Sequence, residues 1–141
     1  MAKKRMGFEG KIYYGPAGTT APTEIGNTGD INYDFDYDAG STLERGTDGL
    51  PPIDHESVTV RKVEIGFKMK NKDSDTTLTA LLTAAYGGQP VAIRTKDKAA
   101  GKGFDGDCVL KVKHGKPING EQMFDFTAKP NDDQRTAQLY V

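Results

Sequence analysis

Residues 30–38 alternate without a break: Ile31, Tyr33, Phe35 and Tyr37 take one parity, Asn32, Asp34, Asp36 and Asp38 the other. A period of two belongs to an extended strand, whose side chains point by turns to two faces. The pattern predicts one face packed on apolar neighbours and an opposite row of carboxylates about 6–7 Å apart. Like charges so close repel one another, and nothing in the fold alone asks for them. A solvated outer strand is the plain explanation. A surface kept negative toward something that passes by is the sharper one.

The rest of the chain reads as further strands around a single helix. Residues 1–7 are basic and expected to be flexible in the free subunit. Residues 10–14 make a first short strand, and 15–29, rich in Gly, Pro, Thr and Asn, a long surface loop. Residues 39–56 read as a loop arm, which is long for a compact domain. It carries Leu43, Leu50 and Ile53 with Pro51 and Pro52, apolar content that a merely solvating loop does not need, and Arg45 beside them. Docking on a partner is therefore expected of it, with packing over its own sheet as the alternative.

Residues 57–70 form a long strand in which Val58 and Val60 share one parity and Val63, Ile65, Phe67 and Met69 the other. The switch at Arg61-Lys62 predicts a β-bulge or a passage between two environments. Asp73-Ser74-Asp75 then offers capping side chains to a helix over 75–86. Leu78, Leu81, Leu82 and Ala85 fall at i, i+3, i+4 and i+7, one apolar stripe, and Gly87, Gly88 and Pro90 end it. Strands over 91–95, 107–113, 122–128 and 137–141 complete the chain.

Composition narrows the class. The 141 residues amount to one ordinary domain. Only 35% are hydrophobic, with 17 glycines, seven prolines and no tryptophan, so an antiparallel β protein with a lean core is expected, one that relies on neighbours for part of its burial. Nineteen basic against twenty acidic side chains argue against a dedicated duplex-binding protein. Cys108 is the one cysteine, so no internal disulfide forms. Neither a signal peptide nor a membrane-spanning run is expected.

Motifs that suggest chemistry fail on context. Asp34, Asp36 and Asp38 match the first positions of a calcium loop, but Ala39 stands where glycine is required and Arg45 where the bidentate glutamate belongs. Gly101, Gly103 and Gly106 spell a dinucleotide fingerprint, yet a strand follows instead of a helix. His55 and His114 have no partner at ligand spacing, and Cys108 on an apolar strand face reads as a small core residue. No catalytic residue, cofactor or metal is expected; the chain does not read as an enzyme.

The order of parts, with Ser41-Thr42-x-x-Arg45-Gly46 in the long loop, Asp73-Ser74-Asp75 before the helix, Gly101-Lys102-Gly103-Phe104 and Lys129-Pro130, resembles the major tail tube proteins of long-tailed bacteriophages. That resemblance implies a single β domain over 1–141, a β-sandwich or open barrel of antiparallel strands with one flanking α-helix, assembling into hexameric rings. Rings would stack into a tube in the virion tail, assembled in the host cytoplasm. The partners it implies are further copies of the chain and the tape-measure, tail tip and tail terminator proteins. DNA would pass through without specific binding, and no membrane is involved. Asp34, Asp36 and Asp38 become candidates for the lumen wall, and Leu43, Arg45, Leu50, Pro51 and Ile53 for contacts between rings. A secretion-system tube protein of the same architecture and a monomeric glycan-binding β-sandwich are the alternatives.

Overall fold

The computed structural model describes residues 4–46, 48–131 and 134–141. The elements are a short 3-10 helix, Gly7–Glu9, then β1 (Lys11–Pro16), β2 (Thr23–Glu24), β3 (Thr28–Glu44), β4 (Ile53–Lys70), α1 (Thr76–Gly87), β5 (Val91–Lys96), β6 (Asp105–Gly115) and β7 (Met123–Pro130). The strands join one antiparallel sheet in the order β2-β1-β5-β6-β7-β4-β3. The architecture is mainly β with one helix, as the alternation implies.

The chain forms two compact units: residues up to Tyr33 together with Glu64–Val141, and Asp34–Val63. β3 and β4 are the two strands that run from one unit into the other.

In the first unit the core follows the predicted parity. Ile65, Phe67 and Met69 of β4 pair with Ala128, Phe126 and Phe124 of β7, and all six are buried. The Phe67 and Phe126 rings stack with centroids 5.1 Å apart. On the other side of β7, Leu110 stands opposite Ala128 and Val112 opposite Phe126. Apolar pairs in register across three strands make a continuous face, and α1 covers β6 with Leu78 and Leu81 buried. Leu82 and Ala85, on the same predicted stripe, are only half-buried.

The helix begins and ends as its sequence dictates. Asp75 is the N-cap, its carboxylate accepting the N–H of Thr77 at 3.1 Å and of Leu78 at 3.3 Å. At the other end Gly88 takes the left-handed conformation at φ 65°, which costs glycine nothing. The Gln89 N–H then reaches the Ala84 carbonyl at 3.0 Å.

Two expectations fail outside this core. Residues 39–44 and 53–56, read as loop, are strand, so the connection shrinks to 45–52. The chain turns there at Asp48 (φ 54°) and Gly49 (φ 75°). An Asp-Gly pair with both residues left-handed is the hairpin signal, and the glycines and prolines around it mask it. The last strand, over 137–141, is instead an isolated bridge between Asp105 and Gln138. Of the basic segment 1–7, residues 1–3 lie outside the described residues, and Arg5 pairs with Glu9 at 3.4 Å.

Candidate assembly surface

The second unit is a two-stranded hairpin with two unlike faces. A Cβ at Gly40 would stand 3.1 Å from the Thr59 methyl and 3.7 Å from Ser57 Oγ, and His55 meets Glu44 at 3.2 Å. Even residues of β3 therefore face odd residues of β4 over 55–59. Lys62, an even residue, reaches Asp38 at 3.0 Å. The long Lys62 side chain thus reaches the acidic row although its neighbours of the same parity, Val58 and Val60, are apolar.

On the polar face stand Asp34, Asp36, Asp38 and Glu44, with His55, Ser57, Thr59 and Lys62 across from them. All of the predicted acidic row is exposed. One of its members is neutralised within the hairpin: Asp38 holds the Lys62 ammonium above its usual range, first through their hydrogen bond and then through its charge. Asp36 accepts the N–H of Tyr37 at 2.8 Å.

The opposite face carries Phe35, Tyr37, Val58 and Val60. The sequence places Ile31, Tyr33, Phe35 and Tyr37 on a buried face; Ile31, in the compact unit, is half-buried, but for the hairpin residues Phe35 and Tyr37 this is corrected. Phe35 is 49% exposed, Val58 56% and Val60 49%. The parity is as read, but among the described residues the hairpin's apolar side stays exposed. Tyr37 finds a polar partner, donating its hydroxyl to Glu56 at 3.0 Å. That hydrogen bond, together with the Glu56 charge, raises the Tyr37 pKa. Toward the tip, Leu43 is 75%, Leu50 66% and Ile53 57% exposed, with Arg45 and Pro51 exposed beside them.

An edge is bare as well as a face. β3 is the last strand of the sheet order, 17 residues long, so among the described residues its backbone groups meet no strand along one side. Long exposed edges invite pairing with another chain. A two-stranded ribbon is marginal in water on its own.

The compact unit holds a charged cluster that the sequence does not announce. Asp107 is fully buried and Asp105 5% exposed, at the start of β6. Asp107 accepts the N–H groups of Gly18 at 3.1 Å and Gln134 at 3.2 Å, and Arg135 Nε at 3.4 Å. Asp105 accepts Arg135 at 3.0 Å and lies 3.6 Å from Arg94. Buried carboxylates need such partners. The only local signal is two acids alternating with apolar residues, and their guanidinium comes from about thirty residues downstream. Gly103, from the rejected fingerprint, has a packing role: a Cβ there would stand 2.0 Å from the Thr95 carbonyl oxygen.

A groove of about 1020 Å³ in the same unit is lined by Arg5, Phe8, Ile31, Tyr33, Lys96 and Asp97 among others, with no histidine or cysteine. Among the described residues no group of three or more His, Cys, Asp or Glu side chains could hold a metal ion, and no helix is long and apolar enough to cross a membrane.

Comparison with solved structures decides the fold. A chain from the tail of an empty gene transfer agent particle, refined with C6 symmetry, superposes with a TM-score of 0.75 over 98% of this chain and 100% of that one, at 14% identity. The fold is the tail tube fold. A chain from the virion of a native gene transfer agent particle gives 0.72 at 13% identity, over 98% of this chain and 100% of that one. The SPP1 tail tube gives 0.68 at 11% identity, over 97% of this chain and 78% of that one. No family model matches the chain, and no curated protein matches it in sequence. The tail tube fold is thus carried here by a sequence only 11–14% identical to those of these structures.

Proposed function

We propose that this protein is a structural subunit of a phage-type tail tube, six copies to a ring as in the C6-symmetric tail it superposes on. The observation that carries this reading is the hairpin. The free edge of the 17-residue strand β3 and the hairpin's bare apolar face need other chains, and further copies supply them at no cost in specificity. Leu43, Arg45, Leu50, Pro51 and Ile53 at the tip are the contacts to a neighbouring ring. Tape-measure, tail tip and tail terminator proteins are the other partners, and the virion tail, built in the host cytoplasm, is the place of action.

Asp34 and Asp36, with Asp38 partly offset by Lys62, are assigned to the lumen. DNA carries one charge per ~1.7 Å of helix axis, so a lysine-lined bore would bind it along the whole path. A negative wall repels it and lets it slide. The experiment is twofold. Purified subunit at high concentration should give ring and tube masses, with tubes in electron micrographs; a sharp monomer mass and no tubes would remove the proposal. Changing Asp34 and Asp36 to Lys in assembled particles should leave tails intact and slow or stop DNA ejection. Unassembled tails would move the row to a subunit seam, and unaffected ejection would move it outside.

A further inference from the structure

β7 ends at Pro130, opposite Cys108 of β6. The chain before that point, residues 103–107, therefore has no β7 beside it. The C-terminal residues take the empty place. Gln138 exchanges two backbone hydrogen bonds with Asp105, of 2.9 and 2.8 Å, and Val141 exchanges two of 2.9 Å with Gly103. Gly106 permits the approach, because a Cβ there would stand 2.9 Å from Ala137 Cα.

Both ends of this segment are fastened. At its start Gln134 and Arg135 bind the buried Asp107, and Arg135 also binds Asp105. At its end the Tyr140 hydroxyl donates to Asp97. Between them, the Leu139 carbonyl accepts the Tyr33 hydroxyl at 3.1 Å, and the Tyr33 ring lies 5.8 Å from that of Phe104. Tyr33 is the last residue of β3 in the compact unit before the strand enters the hairpin.

We propose that residues 134–141 are a strap, locked by Arg135 on Asp105 and Asp107, that holds β3 at Tyr33 and so keeps the subunit competent to assemble. The strap stands on contacts within one chain; its consequence for assembly rests on the tube reading above. A carboxylate as deeply buried as Asp107 loses two of its partners if the segment lifts, so the closed strap is strongly preferred. A strand that must present its free edge to another copy needs a fixed exit from the core, and the Tyr33 contacts provide it.

Amide hydrogen exchange on the monomeric full chain tests the strap apart from any tube. In Arg135→Gln, the β4-facing amides of residues 30–33 should exchange at least about tenfold faster, as expected when a charge-assisted bond is lost. Amides over 109–113, paired with β7, should keep their protection. Gly106→Ala, which crowds Ala137 without touching a charge, should give the same pattern. Tyr33→Phe should give about a two- to tenfold effect confined to β3. Unchanged β3 protection in all three would overturn the proposal, as would equal acceleration over 109–113, which would reduce the lock to general stability. If Arg135→Gln does not fold, the other two variants decide. Strap-weakened variants should also assemble more slowly than the parent. If even the parent forms no tube while the exchange pattern holds, the tube reading fails and the strap's hold on β3 stands.

Discussion

In the compact unit β4 buries Ile65, Phe67 and Met69 to 2% exposure or less; in the hairpin the same strand leaves Val58 and Val60 about half exposed. The first stretch has α1 and the faces of β6 and β7 to complete its core. The hairpin has only its own two strands, and a ribbon cannot bury a face against itself. What holds it is polar: Tyr37 to Glu56, Asp38 to Lys62, Glu44 to His55, and the Thr59 and Ser57 hydroxyls on the carbonyls of Asp38 and Gly40. Exposed ion pairs contribute little each. One region is thus stabilised by a buried apolar core, the other mainly by exposed polar contacts.

The largest expected effect tests this contrast directly. Phe67→Ala should lower the stability of the isolated subunit by about 3–5 kcal/mol, and Leu81→Ala by about 2–5 kcal/mol, because both sites are fully buried. Phe35→Ser or Val60→Ser should move the denaturant midpoint of the monomer by no more than about 0.5 kcal/mol, as at other exposed sites. The same two hairpin changes should abolish tube formation. A hairpin substitution that unfolds the monomer, or that assembles normally, would break the comparison.

The two regions also differed in how well the sequence described them. Alternation and register partners both lie in the compact unit for β4, β6 and β7, so parity translated into burial, and the capped helix followed from Asp75 and Gly88. In the hairpin, parity identified the two faces correctly and still failed on burial, because Phe35, Val58 and Val60 remain about half exposed on their shared side. Residues 39–44 look like loop because Gly40 and Ser41 interrupt the alternation, and 53–56 because Pro51-Pro52 precede a polar run. Tertiary pairing overrides such propensity, and the left-handed Asp48-Gly49 pair marks the turn between the two strands. Asp105 and Asp107 were illegible for another reason. Their burial depends on Arg135 and on the Gly18 amide, partners remote in sequence that no local pattern connects.

An intermediate effect falls on that cluster. Asp107→Asn keeps the shape but removes the charge that Arg135 meets, and turns an acceptor into a donor beside the Gly18 and Gln134 N–H groups. It should cost the compact unit about 1–3 kcal/mol in denaturant unfolding. A smaller loss, about 0.5–2 kcal/mol, is expected from Asp75→Ala at the helix cap. Equal stability of Asp107→Asn and the parent would mean that the buried acid is not satisfied by the contacts seen.

The smallest effect separates the two regions by the chemistry of their tyrosines. Tyr33 in the compact unit has its pKa raised by burial, whereas Tyr37 in the hairpin has its own raised first by the hydrogen bond to Glu56 and then by that charge. In both cases folding favours the neutral phenol. Each therefore adds stability that is fully present below the ordinary value near 10 and is lost as pH rises through the higher folded value. Glu56→Gln removes the charge beside Tyr37 and leaves Tyr33 untouched. Carbon-detected magnetic resonance of the tyrosine rings should then show Tyr37 titrating closer to its ordinary range while Tyr33 stays raised. A joint shift of the two would mean that the hairpin and the compact unit do not respond separately. No shift at Tyr37 would mean that Glu56 is not the partner that holds its proton.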